Sequence, residues 1–102
     1  MAVTLQVLYP IRPDTHFDQE YYASTHMSLV RQHLGPFLVS AQASKGLAGG
    51  PDTPPEYYAI ATMVFANPEK LEDAMAVADP VLADIPNYTN TQPKILIGEV
   101  LD

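Results

Sequence analysis

Hydrophobic and polar positions alternate at the start of the chain. Val3, Leu5, Val7 and Tyr9 alternate with Thr4, Gln6, Leu8 and Pro10, and this period of two predicts a strand over 2–10, with Leu8 as the one lapse. Pro10-Ile11-Arg12-Pro13-Asp14 then reads as a loop, punctuated by its prolines. From about Phe17 to Leu34 the period lengthens to that of a helix. Tyr22, His26, Leu29 and His33 fall at i, i+4, i+7 and i+11 on one face, widened by Phe17, Tyr21 and Val30. Thr15 is placed to cap this helix, with Asp18 reaching back in a weak capping box. Asp18 and Glu20 suit the positive end of the helix dipole. Gly35-Pro36 is a stop signal, because glycine takes the left-handed position after a helix and proline cannot continue it.

A second strand is predicted from Phe37 to about Leu47, with Val39, Ala41 and Ala43 on one face and Ser40, Gln42 and Ser44 on the other. Residues 46–55, punctuated by Gly46, Gly49, Gly50, Pro51, Pro54 and Pro55, form a loop and are expected to be the most flexible part of the chain. The third strand, Glu56 to Ala66, is apolar on both parities: Tyr57, Ala59, Ala61, Met63 and Phe65 on one, Tyr58, Ile60 and Val64 on the other. Asn67-Pro68-Glu69 opens a second helix with a cap, a proline at its first position and an acid in its first turn, and its stripe is Leu71, Ala74, Met75 and Ala78. Asp79-Pro80 repeats the signal for a short helix from Pro80 to about Ile85. Residues 86–90 form a turn, and Lys94 to Leu101 form the last strand.

The resulting order, β-α-β-β-α-β, is the α+β, ferredoxin-like arrangement: a four-stranded antiparallel sheet with its helices on one face. A third strand apolar on both faces then bears on assembly. The chain has no element left to cover the second face, and large contiguous apolar patches are rare on monomers. The expectation is a homodimer packed sheet to sheet, with a small-molecule chamber under each long helix.

Composition narrows the classes. At 102 residues and 47% hydrophobic the chain is one globular domain, 1–102. A net charge of −7, with five Lys and Arg against twelve Asp and Glu, argues against nucleic acid and anionic membrane surfaces. No apolar run is long enough to span a bilayer, and the N-terminus lacks the basic and apolar regions of a signal peptide, so a cytoplasmic location is expected. Without cysteine there is no disulfide, thiolate nucleophile or cysteine-based metal site. There is no phosphate-binding glycine loop and no nucleophile elbow, so no nucleotide cofactor is signalled and none is expected.

Two motifs some way apart carry a family resemblance. Val7-Leu8-Tyr9-Pro10, with Phe17-Asp18, Tyr21-Tyr22, His26 and Leu29 at their spacings, resembles the opening of the EthD family, named for ethyl tert-butyl ether degradation. Ala83-Asp84-Ile85-Pro86-Asn87-Tyr88-Thr89-Asn90 followed by Pro93 resembles that family's second signature. The resemblance implies a dimeric α+β barrel, the assembly already reached from the sheet. It departs at Ser28, where the family usually has proline. Relatives with this barrel include lactone isomerases, polyketide-processing dehydratases and cyclases, cofactor-free monooxygenases and haem-degrading enzymes, so the resemblance fixes architecture more closely than activity.

The candidate chemistry centres on His26, which the family motif includes. On the buried stripe it is either a core histidine hydrogen-bonded to a neighbour or an acid/base group titrating near neutrality. His33 lies seven residues on, about 10.5 Å along the axis, too far for both imidazoles to bind one metal at about 2 Å. His16 sits in a loop as a solvated residue, and no metal site is expected. Asp84, Asn87 and Tyr88 read either as turn chemistry or as a site in which Asp84 orients His26 while Asn87 and Tyr88 donate to a substrate oxygen. Tyr9, Tyr21, Tyr22, Tyr57 and Tyr58 are amphipathic core and interface residues, and a pocket lined by several of them, Tyr9 and Tyr22 first, would also suit a flat phenolic or lactone ligand. The expected activity is that of a small cofactor-free lyase, isomerase or dehydratase acting on a hydrophobic oxygenated small molecule. The alternatives are an oxygen-handling monooxygenase or haem-linked enzyme, and a non-catalytic metabolite-binding protein.

Overall fold

A computed structural model describes every residue, Met1–Asp102. Strand β1 is Val3–Pro10. The long helix α1 covers 19–34, β2 is Leu38–Lys45 and β3 is Tyr57–Phe65. Helices α2, Pro68–Ala76, and α3, Asp79–Asp84, precede β4, Lys94–Glu99. The strands form one antiparallel sheet in the order β2-β3-β1-β4, which is the ferredoxin-like arrangement. No helix is long and apolar enough to cross a membrane.

The helices cover one face of the sheet. Val3, Leu5 and Tyr9 of β1 and Ala59, Ala61, Met63 and Phe65 of β3 are buried there against Met27, Val30 and Leu34 of α1 and Leu71 and Ala74 of α2. These are alternate positions of the two central strands, as a period of two requires.

Two bulges change which residues share a face. Val39 is skipped in the pairing of β2 with β3, so Leu38 and then Ala41 and Ala43 all turn to the core while Val39 is exposed. It does not join Ala41 and Ala43 as alternation predicts, because a bulge adds one residue and reverses the parity beyond it. Tyr58 is skipped in the pairing of β3 with β1, where Tyr9 faces Ala59 and Pro10 faces Tyr57. Its ring stacks on Phe17 at 5.3 Å on the helix side and does not share the outer face of Ile60 and Val64.

That outer face is mixed. Gln42, Thr62, Gln6 and Leu96 lie in register across the sheet, with Gln6 Nε2 donating to Thr62 Oγ1 at 3.1 Å. Ile60 and Leu8 lie beside this polar row on one side and Val64 on the other. It is therefore less greasy than the strand pattern predicts, and no element of the chain covers it.

The long helix departs from the sequence reading in its start and its phase. Its cap is Asp18, whose carboxylate accepts from the Tyr21 N–H at 3.0 Å, and helix begins at Gln19, not Phe17. Thr15 instead closes the preceding turn on the Arg12 carbonyl at 2.6 Å and meets the Tyr58 hydroxyl at 2.7 Å. Tyr22–His26 form a π turn, in which the Met27 N–H reaches the Tyr22 carbonyl five residues back. This wider turn slips the buried stripe by one position. Tyr22 and His26 are buried as predicted, but Met27, Val30 and Leu34 follow them, and Leu29 and His33 are left half-buried.

Candidate active site

The second motif packs onto the start of α1 through backbone and short side chains. Asp18 N–H donates to the Tyr88 carbonyl at 2.8 Å, Phe17 and Thr89 form an isolated bridge, and Thr89 Oγ1 donates to the His16 carbonyl at 2.6 Å. Asn90 accepts from His16 N–H and donates to the Asp14 carbonyl, both at 2.9 Å. Pro86 sits in the short 3-10 turn Ile85–Asn87 that ends α3 and aims Asp84 and Tyr88 inward. The two distant motifs thereby become one wall.

His26 stands at the junction, 3% exposed. Its Nδ1 lies 3.0 Å from Oδ2 of Asp84, itself 7% exposed, and its Nε2 lies 3.2 Å from the Tyr88 hydroxyl. The Tyr88 hydroxyl is in turn 2.7 Å from that of Tyr9. On the far side of Asp84, Oδ1 accepts from the Tyr21 hydroxyl at 2.6 Å and from Asn87 Nδ2 at 3.0 Å. A continuous hydrogen-bonded row therefore runs Tyr9, Tyr88, His26, Asp84, with Tyr21 and Asn87 closing its end.

The electrostatics follow from burial and from these partners. Burial pulls the His26 pKa below its ordinary value, against the opposing pull of the Asp84 carboxylate, so the ring is neutral at pH 7. Burial works to raise Asp84, but the donors Tyr21, Asn87 and His26 outweigh it and hold the carboxyl below its ordinary range. Burial pushes the Tyr9 hydroxyl up to about 12 and raises Tyr22 and Tyr88 as well. Donation to Asp84 raises Tyr21.

Beside this row, between the sheet and the helices, lies an apolar cavity of about 80 Å³. His26 and Tyr9 line it, together with Met27, Val30, Met63 and Ile85 among others. Two larger open hollows, of about 400 and 470 Å³, flank the loop 46–55. Neither is lined by His26, Asp84 or Tyr88, so the apolar cavity is the one that belongs to the hydrogen-bonded row.

The predicted site residues thus come together, in unequal positions. Tyr9 and His26 face the cavity; Asp84 and Tyr88 are buried behind them. Asn87 is exposed and donates to Asp84 rather than into the cavity. Tyr22 stacks on His26 at 5.6 Å, and its buried hydroxyl has no hydrogen-bond partner. Ser28 sits two residues after the π turn, where its Oγ donates to the Ser24 carbonyl at 2.6 Å. A proline there could not make the backbone bond to that carbonyl, and here the serine hydroxyl reaches it. The residue missed as a site member is Tyr21, which the sequence places on the apolar face, in the family motif and among the tyrosines but not in the site. Its place one residue before Tyr22 gave no sign that its hydroxyl would meet Asp84. No three His, Asp or Glu side chains converge in a way that could hold a metal ion.

A family model described as the EthD domain matches residues 14–92. The chain belongs to the EthD family. Solved structures agree with it over nearly the whole length. An EthD-like protein from Ralstonia eutropha JMP134 is 32% identical with a TM-score of 0.89, over 99% of this chain and 93% of that one. An EthD family protein from Bacillus halodurans C-125 is 24% identical with a TM-score of 0.78, over 99% of this chain and all of the other. SnoaB, a cofactor-independent oxygenase from Streptomyces nogalater, shares the fold at 10% identity with a TM-score of 0.68, over 99% and 94% of the two chains. No curated protein matches the sequence.

Proposed function

We propose that this EthD protein is a small cofactor-independent enzyme of lyase, isomerase or dehydratase type, acting on a hydrophobic oxygenated small molecule of aromatic, lactone or polyketide-like character by acid–base chemistry at His26. The observation that carries this reading is an imidazole held between a carboxylate and a phenol at the wall of an apolar cavity. A buried base that is neutral at pH 7 can take a proton, and Asp84 fixes its tautomer and stabilises the imidazolium that results. The apolar walls keep water from competing for that proton. Asn87 and Tyr21 act through Asp84, while Tyr9 and Tyr88 lie on the side where the substrate oxygen would be.

We further propose that two copies pack through the outer sheet face, around Leu8, Ile60 and Val64, in a cytoplasmic homodimer. A haem-linked version of the site does not fit. Nε2 of His26, the atom that would bind iron, already faces the Tyr88 hydroxyl at 3.2 Å, and the cavity is far smaller than the several hundred Å³ of an ordinary cofactor pocket.

A second reading, a metabolite-binding protein without catalysis, draws on the engagement of both ring nitrogens. The test separates the two. Wild type and His26→Ala are incubated in D₂O with hydrophobic lactones, β-diketones and naphthols, and carbon-bound hydrogen exchange is followed by NMR. Exchange by the wild type that is lost in His26→Ala, with the fold intact by circular dichroism, supports the enzyme. Equal exchange in both removes His26 from the reaction. A ligand-dependent rise in Tm without exchange favours the binding protein.

A further inference from the structure

We infer that the polar end of the cavity is a hydrogen-bond acceptor, so that its ligand is an apolar molecule carrying a hydroxyl, phenolic, enolic or alcoholic, whose proton passes through Tyr9 and Tyr88 to His26. This deepens the reading above and rests on it. The direction of every bond in the row follows from its far end. Asp84 takes Tyr21 and Asn87 on one oxygen and His26 on the other, and an ionised carboxylate only accepts. Nδ1 of His26 therefore carries the ring's hydrogen. A neutral imidazole has one such hydrogen, so Nε2 accepts, and Tyr88 is the donor at 3.2 Å. Tyr88 has one hydrogen as well. Toward Tyr9 it accepts, and Tyr9 donates at 2.7 Å.

The consequence reaches the cavity. Of the 16 residues that line it, Tyr9 and His26 alone carry a side-chain oxygen or nitrogen. Both nitrogens of His26 are engaged, and the hydrogen of Tyr9 is taken up by Tyr88. The Tyr9 oxygen then has only a lone pair left to offer a ligand. A carbonyl or ether oxygen placed there would meet it lone pair to lone pair, buried and without a donor, which is unfavourable. A hydroxyl would extend the row by one member.

The same row then carries a proton without change of oxidation state. The ligand O–H bond breaks and its proton goes to the Tyr9 oxygen. The Tyr9 proton goes to Tyr88, and the Tyr88 proton goes to Nε2 of His26. The products are a ligand oxyanion, now accepting a hydrogen bond from Tyr9, and an imidazolium beside the Asp84 carboxylate. Burial disfavours ionised Tyr9 and Tyr88, so they pass the proton on rather than hold the charge. Of the chain's four methionines, Met27, Met63 and Met75 line the cavity, and such unbranched side chains let it widen around a ligand larger than its resting volume.

The methionines also supply the test. Protein labelled with ¹³C at the methionine methyl groups is titrated with two matched pairs, phenol against anisole and cyclohexanol against cyclohexanone. Met1, 72% exposed, is the internal control. The expected result is a saturable shift of Met27, Met63 and Met75 but not Met1, with the hydroxyl member of each pair binding about tenfold tighter, the worth of one net hydrogen bond. Tyr9→Phe should abolish the preference. Anisole and cyclohexanone binding as tightly as their partners, or no saturable shift at the three methionines, would overturn the inference. Should Tyr9→Phe fail to fold, ¹⁵N shifts of labelled histidine in the wild type still decide it, because a His26 protonated on Nε2 reverses the row. A hydroxyl preference in the wild type, with carbon-bound exchange equal in wild type and His26→Ala, supports Tyr9 as the acceptor end of the cavity while removing the enzyme reading and the proton path to His26. Equal binding within each pair, with exchange intact, removes this inference alone.

Discussion

Nδ1 of His26 and Oδ2 of Asp84, 58 positions apart in the chain, lie 3.0 Å from each other, both buried. Asp84→Asn replaces an acceptor-only group with one that can also donate, which frees His26 to adopt the other tautomer against Tyr88. We expect hydrogen exchange on the cavity ligand to fall by roughly 10²–10⁴-fold, the usual worth of a positioned acid–base group. The urea midpoint should fall too, by the equivalent of about 1–3 kcal/mol for a disrupted buried bond. An exchange rate within a factor of two of wild type would show that Asp84 does not orient the base.

Stability should depend on pH in two steps. His26 has a folded pKa below its ordinary 6.5, so below that value the unfolded chain binds a proton that the native ring resists, and stability falls as pH falls through this window. Asp84 is held below its ordinary 3.8, so its contribution is present above that pH and is lost on further acidification. Denaturant titrations between pH 8 and pH 3 check both. The His26→Asn variant should flatten the first step.

Tyr22→Phe should leave stability unchanged or raise it, by up to about 1 kcal/mol, because the hydroxyl it removes is buried without a partner. The stacked ring, 5.6 Å from His26, is retained in phenylalanine. A clear loss of stability in thermal melts would mean that the Tyr22 hydroxyl is bonded in solution.

Light scattering on the eluting protein should return twice the 11.2 kDa chain mass. Replacing Ile60 and Val64 together by lysine places two charges on the outer sheet face and should give a monomer, with the helix-side core untouched. A wild-type monomer at micromolar concentration would show that this face needs no partner.

The order of elements was legible because its signals are local. Alternation marked β1, Asn67-Pro68 marked the start of α2, and Gly35-Pro36 marked the end of α1, although Gly35 stays right-handed at φ −47° and leads into a 3-10 turn, Gly35–Phe37, instead of taking the left-handed position. Errors arose where one residue was added or skipped. The π turn at Tyr22–His26 moved the buried stripe off Leu29 and His33, and bulges re-aimed Val39 and Tyr58. Such insertions leave composition unchanged and shift only phase, which a periodicity count presumes constant. Asp18 took the cap because its carboxylate reached the Tyr21 N–H, while Thr15 was drawn into its own turn and to Tyr58.

By itself the sequence determined the β-α-β-β-α-β order, the residues of the EthD motifs and the histidine with chemical potential, all of which depend on propensities and spacings within a few residues. Only the tertiary structure decided that Asp84 meets His26, that Tyr88 and Tyr9 continue the row, that Tyr21 closes it and that a cavity opens beside Tyr9. These contacts join segments some 60 to 80 positions apart. Each exists because β1, α1 and the turn after α3 converge at one end of the fold, and the hydrogen on each bond is assigned by its neighbours in space.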